Sequence, residues 1–161
     1  MEVHFRNMKP NDVDEIIDVH KKSVYGLCKD FYSQEQMSIW TSLFSQKFSN
    51  EGIKDSNNIG IVAIEAGKVV GYGFINLQDK EVKGMYLTPE VRGKGVGRSI
   101  LFKLESIAKE NKLNELVLNS TLNAVAFYEK CGYAKLRDEV FTLTESCKIP
   151  CVHMVRKFNS E

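Results

Sequence analysis

Apolar and polar positions change period several times along this chain, and each change marks an element. Val3 and Phe5 alternate with polar neighbours in "EVHFR", residues 2–6, as a first strand would. In "KPNDVDEIIDVHKKSVYGL", Val13, Ile16, Ile17, His20 and Val24 fall at helical spacing, with acidic residues in the first turn. Ser33 and Gln36 then form a capping-box pattern ahead of Met37, Trp40, Leu43 or Phe44, and Phe48, which predicts a second helix. After a polar break over residues 50–58, "IGIVAIE" and "VVGYGFINL" read as two strands about the turn "AGK", and "EVKGMYL" as a further strand. Val96, Ile100, Leu101, Leu104, Ile107 and Ala108 make the apolar face of a third helix. "LNELVLN" is a strand and "TLNAVAFYEKCG" a short helix stopped by Gly132; "YAKLRDEVFTLTE" and "IPCVHMVRKF" close the chain as two strands. The order β-α-α-β-β-β-α-β-α-β-β belongs to the α/β (α+β) class, a mixed sheet with helices packed on it. With no internal repeat or linker, residues 1–161 read as one domain.

Composition narrows the function classes. The 161 residues are 43% hydrophobic and 27% charged, ordinary for a soluble globular chain. Twenty-two basic against 21 acidic residues leave a formal charge of +1, which argues against a dedicated nucleic-acid binder. Cys28, Cys131, Cys147 and Cys151 show no C-x-x-C spacing and no paired histidines, so no metal site is expected. No signal region opens the chain and no apolar run approaches membrane-spanning length, so a cytoplasmic protein with free thiols and no membrane partner is expected.

Cationic character concentrates in "TPEVRGKGVGRS", residues 88–99, where Gly93, Gly95 and Gly97 alternate with Arg92, Lys94 and Arg98. Glycine costs about 0.5–1 kcal/mol inside a regular element, so the cluster needs a local reason. The loop follows a strand and opens a helix, where backbone N–H groups and the helix dipole favour an anion. A P-loop needs Ser or Thr after Gly-Lys, but Gly95 follows Lys94. A dinucleotide fingerprint fails at its third glycine, where Arg98 stands. What remains is R-x-x-G-x-G, met by Arg92, Gly95 and Gly97.

With that motif the chain resembles the GNAT superfamily of acyl-CoA-dependent N-acyltransferases, whose pyrophosphate loop is Q/R-x-x-G-x-G/A. "EVKGMYLTPEVRGKGVG" is similar to the family's strand-plus-loop segment, and "NAVAFYEKCGY" to its downstream helix motif; with the element order, the likeness covers essentially the whole chain. The resemblance implies a sheet splayed between strands 4 and 5, with acetyl-CoA as acyl donor. The amides of Gly93, Lys94, Gly95, Val96 and Gly97 would cradle its pyrophosphate, with Arg92, Lys94 and Arg98 adding charge. Each glycine there would also remove a Cβ that holds the phosphate away. Backbone of the fourth strand, at Met85, Tyr86 and Leu87, would pair with the pantetheine arm, and Asn123 and Asn119 would bond it from the other side. Asn123 also suits a helix cap, and both roles can hold.

The resemblance places Tyr128 against the CoA sulfur, with Phe127 beside it to fill the core. A phenol of pKa about 10 protonating a thiolate of about 8.5 is uphill by about 2 kcal/mol, so the hydroxyl is read as a hydrogen-bond donor to the departing sulfur. Leu87 N–H is the expected donor to the carbonyl oxygen. Glu81 stands where family members carry a carboxylate base; strand alternation would put it on one face with Lys83, Met85 and Leu87. A carboxylate near pKa 4.3 is a poor direct base for an amine near 10.4, and Lys83 works against it, so base and exposed strand-end residue stand even. His20, His153 and Cys28 are not tied together by any pattern, so a nucleophilic cysteine is not favoured.

Tyr25 and Tyr32, in the segment joining the first two helices, are candidate walls of an acceptor slot for a small-molecule or peptide amine. The resemblance implies an N-acetyltransferase working through a direct ternary complex. The alternative is a sensor module that holds acyl-CoA without turnover; Tyr128 favours the enzyme. The last strand could pair across a homodimer.

Overall fold

The computed structural model describes residues 2–51 and 53–159. Seven strands form one sheet in the order β1-β2-β3-β4-β5-β7-β6. β1 (Val3–Asn7), β2 (Asn58–Glu65), β3 (Lys68–Asn76) and β4 (Glu81–Leu87) run as an antiparallel series. α1 (Val13–Leu27) and α2 (Gln34–Asn50) connect β1 to β2. α3 (Val96–Glu110) carries the chain over to β5 (Glu115–Ser120), which lies parallel to β4. α4 (Val125–Lys130) leads into β6 (Ala134–Thr144), and β7 (Cys147–Lys157) inserts between β5 and β6. The mixed sheet and element order match the sequence expectation. Among the described residues, no helix is long and apolar enough to cross a membrane.

Side-chain alternation divides the sheet into two faces. Val96, Ile100, Leu101, Leu104 and Ala108 of α3 pack on Val70, Ile75, Val82, Leu116, Leu118, Val152 and Met154. The opposite residues, Val62, Val69, Tyr72 and Phe74, meet Ile16 and Val19 of α1 and Phe48 of α2. Farther along that face, Val24, Cys28, Tyr32, Met37 and Trp40 gather around Ile149 of β7. The capping box starts α2 as its sequence predicts: Gln36 N–H donates to Ser33 Oγ at 3.1 Å, and Ser33 N–H to Gln36 Oε1 at 2.8 Å.

Two irregularities shape β4. Phe74 pairs with Gly84 and Ile75 with Val82, so Lys83 is an extra residue bulged out of the ladder. This corrects the expected alternation. Met85 and Leu87 pack toward α3 as Val82 does, so Glu81, the neighbour of Val82, lies on the α1/α2 face. The second irregularity is the short pairing to β5, which covers only Glu81 with Val117 and Val82 with Leu118. Beyond those pairs the two strands part.

Candidate active site

On the α3 face, the 88–99 segment folds as a short 3-10 turn, Pro89–Val91, followed by the glycines and the start of α3. Gly93 and Gly95 sit at φ +78° and +81°, a region that a side chain with Cβ enters only with strain. Gly97 has a packing role besides the one expected. A Cβ there would meet Phe127 Cζ at 3.3 Å and Leu87 Cδ1 at 3.4 Å, so its bareness lets α3 close on β4 and α4. Lys94 N–H is spent on Val91 O at 3.3 Å and Arg92 N–H on Pro89 O at 3.1 Å. The amides of Gly93, Gly95, Val96, Gly97 and Arg98 have no backbone acceptor among the described residues. Arg92, Lys94 and Arg98 are exposed and enter no ion pair among those residues, and the first turn of α3 has no acidic residue. Open amides, a helix start and unpaired cations together suit an anion.

The parting strands frame a slot beside this loop. Thr88 N–H bonds Val70 O at 2.9 Å, which makes Leu87–Gly71 the non-hydrogen-bonded pair of the antiparallel ladder. Leu87, and by alternation Met85, therefore turn their N–H and C=O groups away from β3, toward the space vacated by β5. Tyr86 does the reverse: its backbone faces Tyr72 of β3, and its ring enters the α1/α2 face beside His20 and Trp40. Across the slot, Asn123 Oδ1 accepts from Cys28 Sγ at 3.4 Å, which leaves its NH₂ group for another partner.

Tyr128 is 6% exposed and belongs to the α3-face core, while Phe127 is the more exposed of the two and covers Gly97. The expected division of labour between these rings is thus inverted. Burial raises the Tyr128 hydroxyl pKa well above the phenol range, with a smaller push from Cys131, and no hydrogen bond offsets it among the described residues. Such a hydroxyl keeps its proton and can donate it to a hydrogen bond.

The α1/α2 face supplies the remaining candidates. Tyr32 is buried; its hydroxyl donates to Pro150 O at 2.7 Å and accepts from Leu122 N–H at 3.0 Å. It ties the α1–α2 connection to β7 and to the turn before α4, and burial pushes its pKa up to about 12. Tyr25 is half-buried at the edge of the same cluster. Burial also pushes the Cys28 thiol up to about 11, partly offset by its bond to Asn123, which disfavours a thiolate nucleophile. Glu81 lies at the paired end of the slot with Lys83 Nζ 3.3 Å from Oε1; Lys83 also holds Asp79 at 2.8 Å. Asn119 Oδ1 lies 2.8 Å from His153 Nδ1, which leaves its NH₂ group for another partner.

Residues 28–157 match the family profile described as an acetyltransferase (GNAT) domain. The chain belongs to the GNAT acetyltransferase family. Spermidine N(1)-acetyltransferase of Thermoplasma acidophilum is 27% identical over 143 residues, 83% of this chain and 89% of that protein. A GCN5-related N-acetyltransferase from Rhodopseudomonas palustris shares the fold at TM-score 0.88 and 22% identity, over 98% of this chain and 97% of its own. The PaiA N-acetyltransferase of Thermoplasma acidophilum, solved in complex with coenzyme A, aligns at TM-score 0.81 and 22% identity, over 98% and 100%. This GNAT chain is accordingly an N-acetyltransferase that uses acetyl-CoA.

One part of the GNAT site gave no sequence signal. Glu105 of α3, 4% exposed, accepts from Tyr133 Oη at 2.9 Å and from Arg156 Nη1 at 2.8 Å, and Arg156 also reaches Cys131 O at 3.2 Å. Tyr133 N–H donates to Tyr128 O at 3.0 Å, and the two rings meet edge to face at 5.8 Å. The network holds the C-terminal end of α4, and Tyr128 with it. Its members are 28 and 51 residues from Glu105, a separation that local pattern does not register.

Proposed function

We propose that this protein transfers an acetyl group from acetyl-CoA to a primary amine by direct attack in a ternary complex. The observation that carries this reading is the parting of β4 and β5 beside a loop of open amides and unpaired cations; Tyr128 and Asn123 would line the slot between them. The amides of Gly93, Gly95, Val96, Gly97 and Arg98 would hold the pyrophosphate, Arg92, Lys94 and Arg98 adding solvated charge. Met85 and Leu87 backbone groups would pair with the pantetheine arm from β4, and the Asn123 NH₂ group from the turn before α4. Acetyl-CoA supplies an activated thioester. Leu87 N–H would stabilise charge on its carbonyl oxygen, and Tyr128 Oη would donate to the departing sulfur. Because burial makes Tyr128 a still weaker acid, its role is hydrogen bonding, with the thiolate protonated later from solvent.

The amine would approach from the α1/α2 face, past Tyr86 and the half-buried Tyr25. Tyr32 supports that approach as a clasp, since its hydroxyl is already saturated. Glu81 lies on the same face and would attract an ammonium group, sharing its charge with Lys83. Spermidine is the first acceptor to test, on the strength of the Thermoplasma relative's name. The test incubates the protein and acetyl-CoA with spermidine, free lysine, an aminoglycoside and short peptides, reading products by mass spectrometry. An acetylated amine is expected. Coenzyme A binding without any acetylated product would favour a sensor and overturn the proposal.

A further inference from the structure

Cys28 and Asn123 share a hydrogen bond that the roles above leave without a purpose. Cys28 follows the last residue of α1. Its N–H donates to Val24 O at 3.0 Å, and its C=O accepts from Phe31 N–H at 2.9 Å and Tyr32 N–H at 3.1 Å. The backbone of this residue is therefore spent on the turn toward α2, and only its thiol is left to bond elsewhere. That thiol is buried and lies 3.4 Å from Asn123 Oδ1, a partner 95 residues away.

Asn123 is half-buried in the middle of a short 3-10 helix, Leu122–Ala124. Thr121 caps that helix and Ala124 caps α4, so Asn123 does not take the capping role its sequence position suggested. Among the described residues, the Cys28 thiol is its only side-chain partner. An amide can present either its oxygen or its NH₂ group by turning about its last bond, and an S–H donor selects the oxygen. Burial keeps the thiol protonated at neutral pH, so it remains a donor.

The backbone around Asn123 is held by other means. Tyr32 Oη accepts from Leu122 N–H at 3.0 Å, and Ala124 N–H donates to Thr121 O at 3.1 Å. What the thiol governs is the direction of one amide group.

We propose that Cys28 is a positioning residue for the acyl donor: it holds Asn123 Oδ1 so that the NH₂ group is presented to the pantetheine arm of acetyl-CoA. The assignment deepens the donor site proposed above and rests on it. Cys28 acts through Asn123 and forms no bond to the acetyl group. Its burial, which disfavours a nucleophile, suits this task.

The test measures two dissociation constants by calorimetry on the intact protein. One ligand is acetyl-CoA; the other is 3′-phospho-ADP, which keeps the pyrophosphate and lacks the pantetheine arm. Cys28→Ala should weaken acetyl-CoA binding by about fivefold, the scale of one neutral hydrogen bond, and leave 3′-phospho-ADP within about twofold. Cys28→Ser supplies an O–H donor and should bring acetyl-CoA back to within about twofold of the parent. Asn123→Ala should weaken acetyl-CoA binding by itself, and adding Cys28→Ala should then cost nothing further.

Unchanged acetyl-CoA affinity in Cys28→Ala, equal losses for both ligands, no recovery in Cys28→Ser, or additive losses in the double variant overturns the positioning role alone. Parental acetyl-CoA affinity in Asn123→Ala overturns the contact of Asn123 with the arm, and the role of Cys28 with it. A parent protein that does not bind acetyl-CoA overturns the donor site itself.

Discussion

The two faces of the central sheet are built by different means. On the α3 face, the groups proposed to meet the acyl donor are backbone amides held in one short segment by the positive φ angles of Gly93 and Gly95. On the α1/α2 face, the site is made of side chains from distant parts of the chain: Tyr32 and Leu122 are 90 residues apart, Cys28 and Asn123 95, and Tyr32 and Pro150 118. The difference matches the tasks. Every acetyl-CoA molecule presents the same pyrophosphate, which a local backbone cradle can bind whatever the acceptor is. An acceptor slot that varies with its substrate must instead be assembled from tertiary contacts, and it can be redesigned without touching the donor loop.

That contrast can be attacked first where the largest effect is expected. Gly95→Val should weaken coenzyme A binding by about 100-fold, measured calorimetrically, because the left-handed backbone costs about 1–2 kcal/mol and the cradle distorts. Gly67→Val is the control, at φ +77° in the β2–β3 turn with no atom within 4 Å of an added Cβ. It should lose similar stability and no affinity. Equal loss of affinity in both would remove the loop from the donor site.

Next in size, Tyr32→Phe should cost about 1.5 kcal/mol in denaturant unfolding, since it leaves Pro150 O and Leu122 N–H without their partner in a part-buried setting. It should lower turnover more than coenzyme A affinity, because the clasp belongs to the acceptor face. An unchanged unfolding midpoint would show that the clasp does not form in solution.

The smallest effect concerns His20, 1% exposed, stacked on Phe44 at 3.8 Å with Nε2 lacking a partner among the described residues. Burial lowers its folded pKa to about 3, against an ordinary value of 6.5. The unfolded chain therefore binds a proton that the folded chain refuses, and stability falls as pH drops through 6.5 toward 3. At pH 5.5 the loss relative to pH 7 should be about 1.2 kcal/mol. His20→Leu should flatten that part of the stability–pH curve; an unchanged slope would contradict neutral burial.

The same contrast explains what could be read from sequence. Strand and helix periods carried the element order, and "RGKGVG" carried the donor loop, because both are encoded in neighbouring residues. Adjacent positions also sufficed for the Ser33–Gln36 capping box. Alternation misplaced Glu81, because one bulged residue, Lys83, reverses every face assignment beyond it. Tyr32 was recognised as aromatic and near the slot, but its two hydroxyl partners come from β7 and the turn before α4, which no local window contains. Glu105 carries no local signal, because its partners Tyr133 and Arg156 lie 28 and 51 residues away.

In the proposed reaction the buried hydroxyl of Tyr128 assists departure of the sulfur. The most direct test is single-turnover acetyl transfer by Tyr128→Phe beside its coenzyme A dissociation constant. The account predicts a rate lower by about 100-fold, the scale for loss of one buried donor to developing charge, with affinity held within about twofold. A rate and an affinity that fall together, or a rate that does not fall, would contradict it.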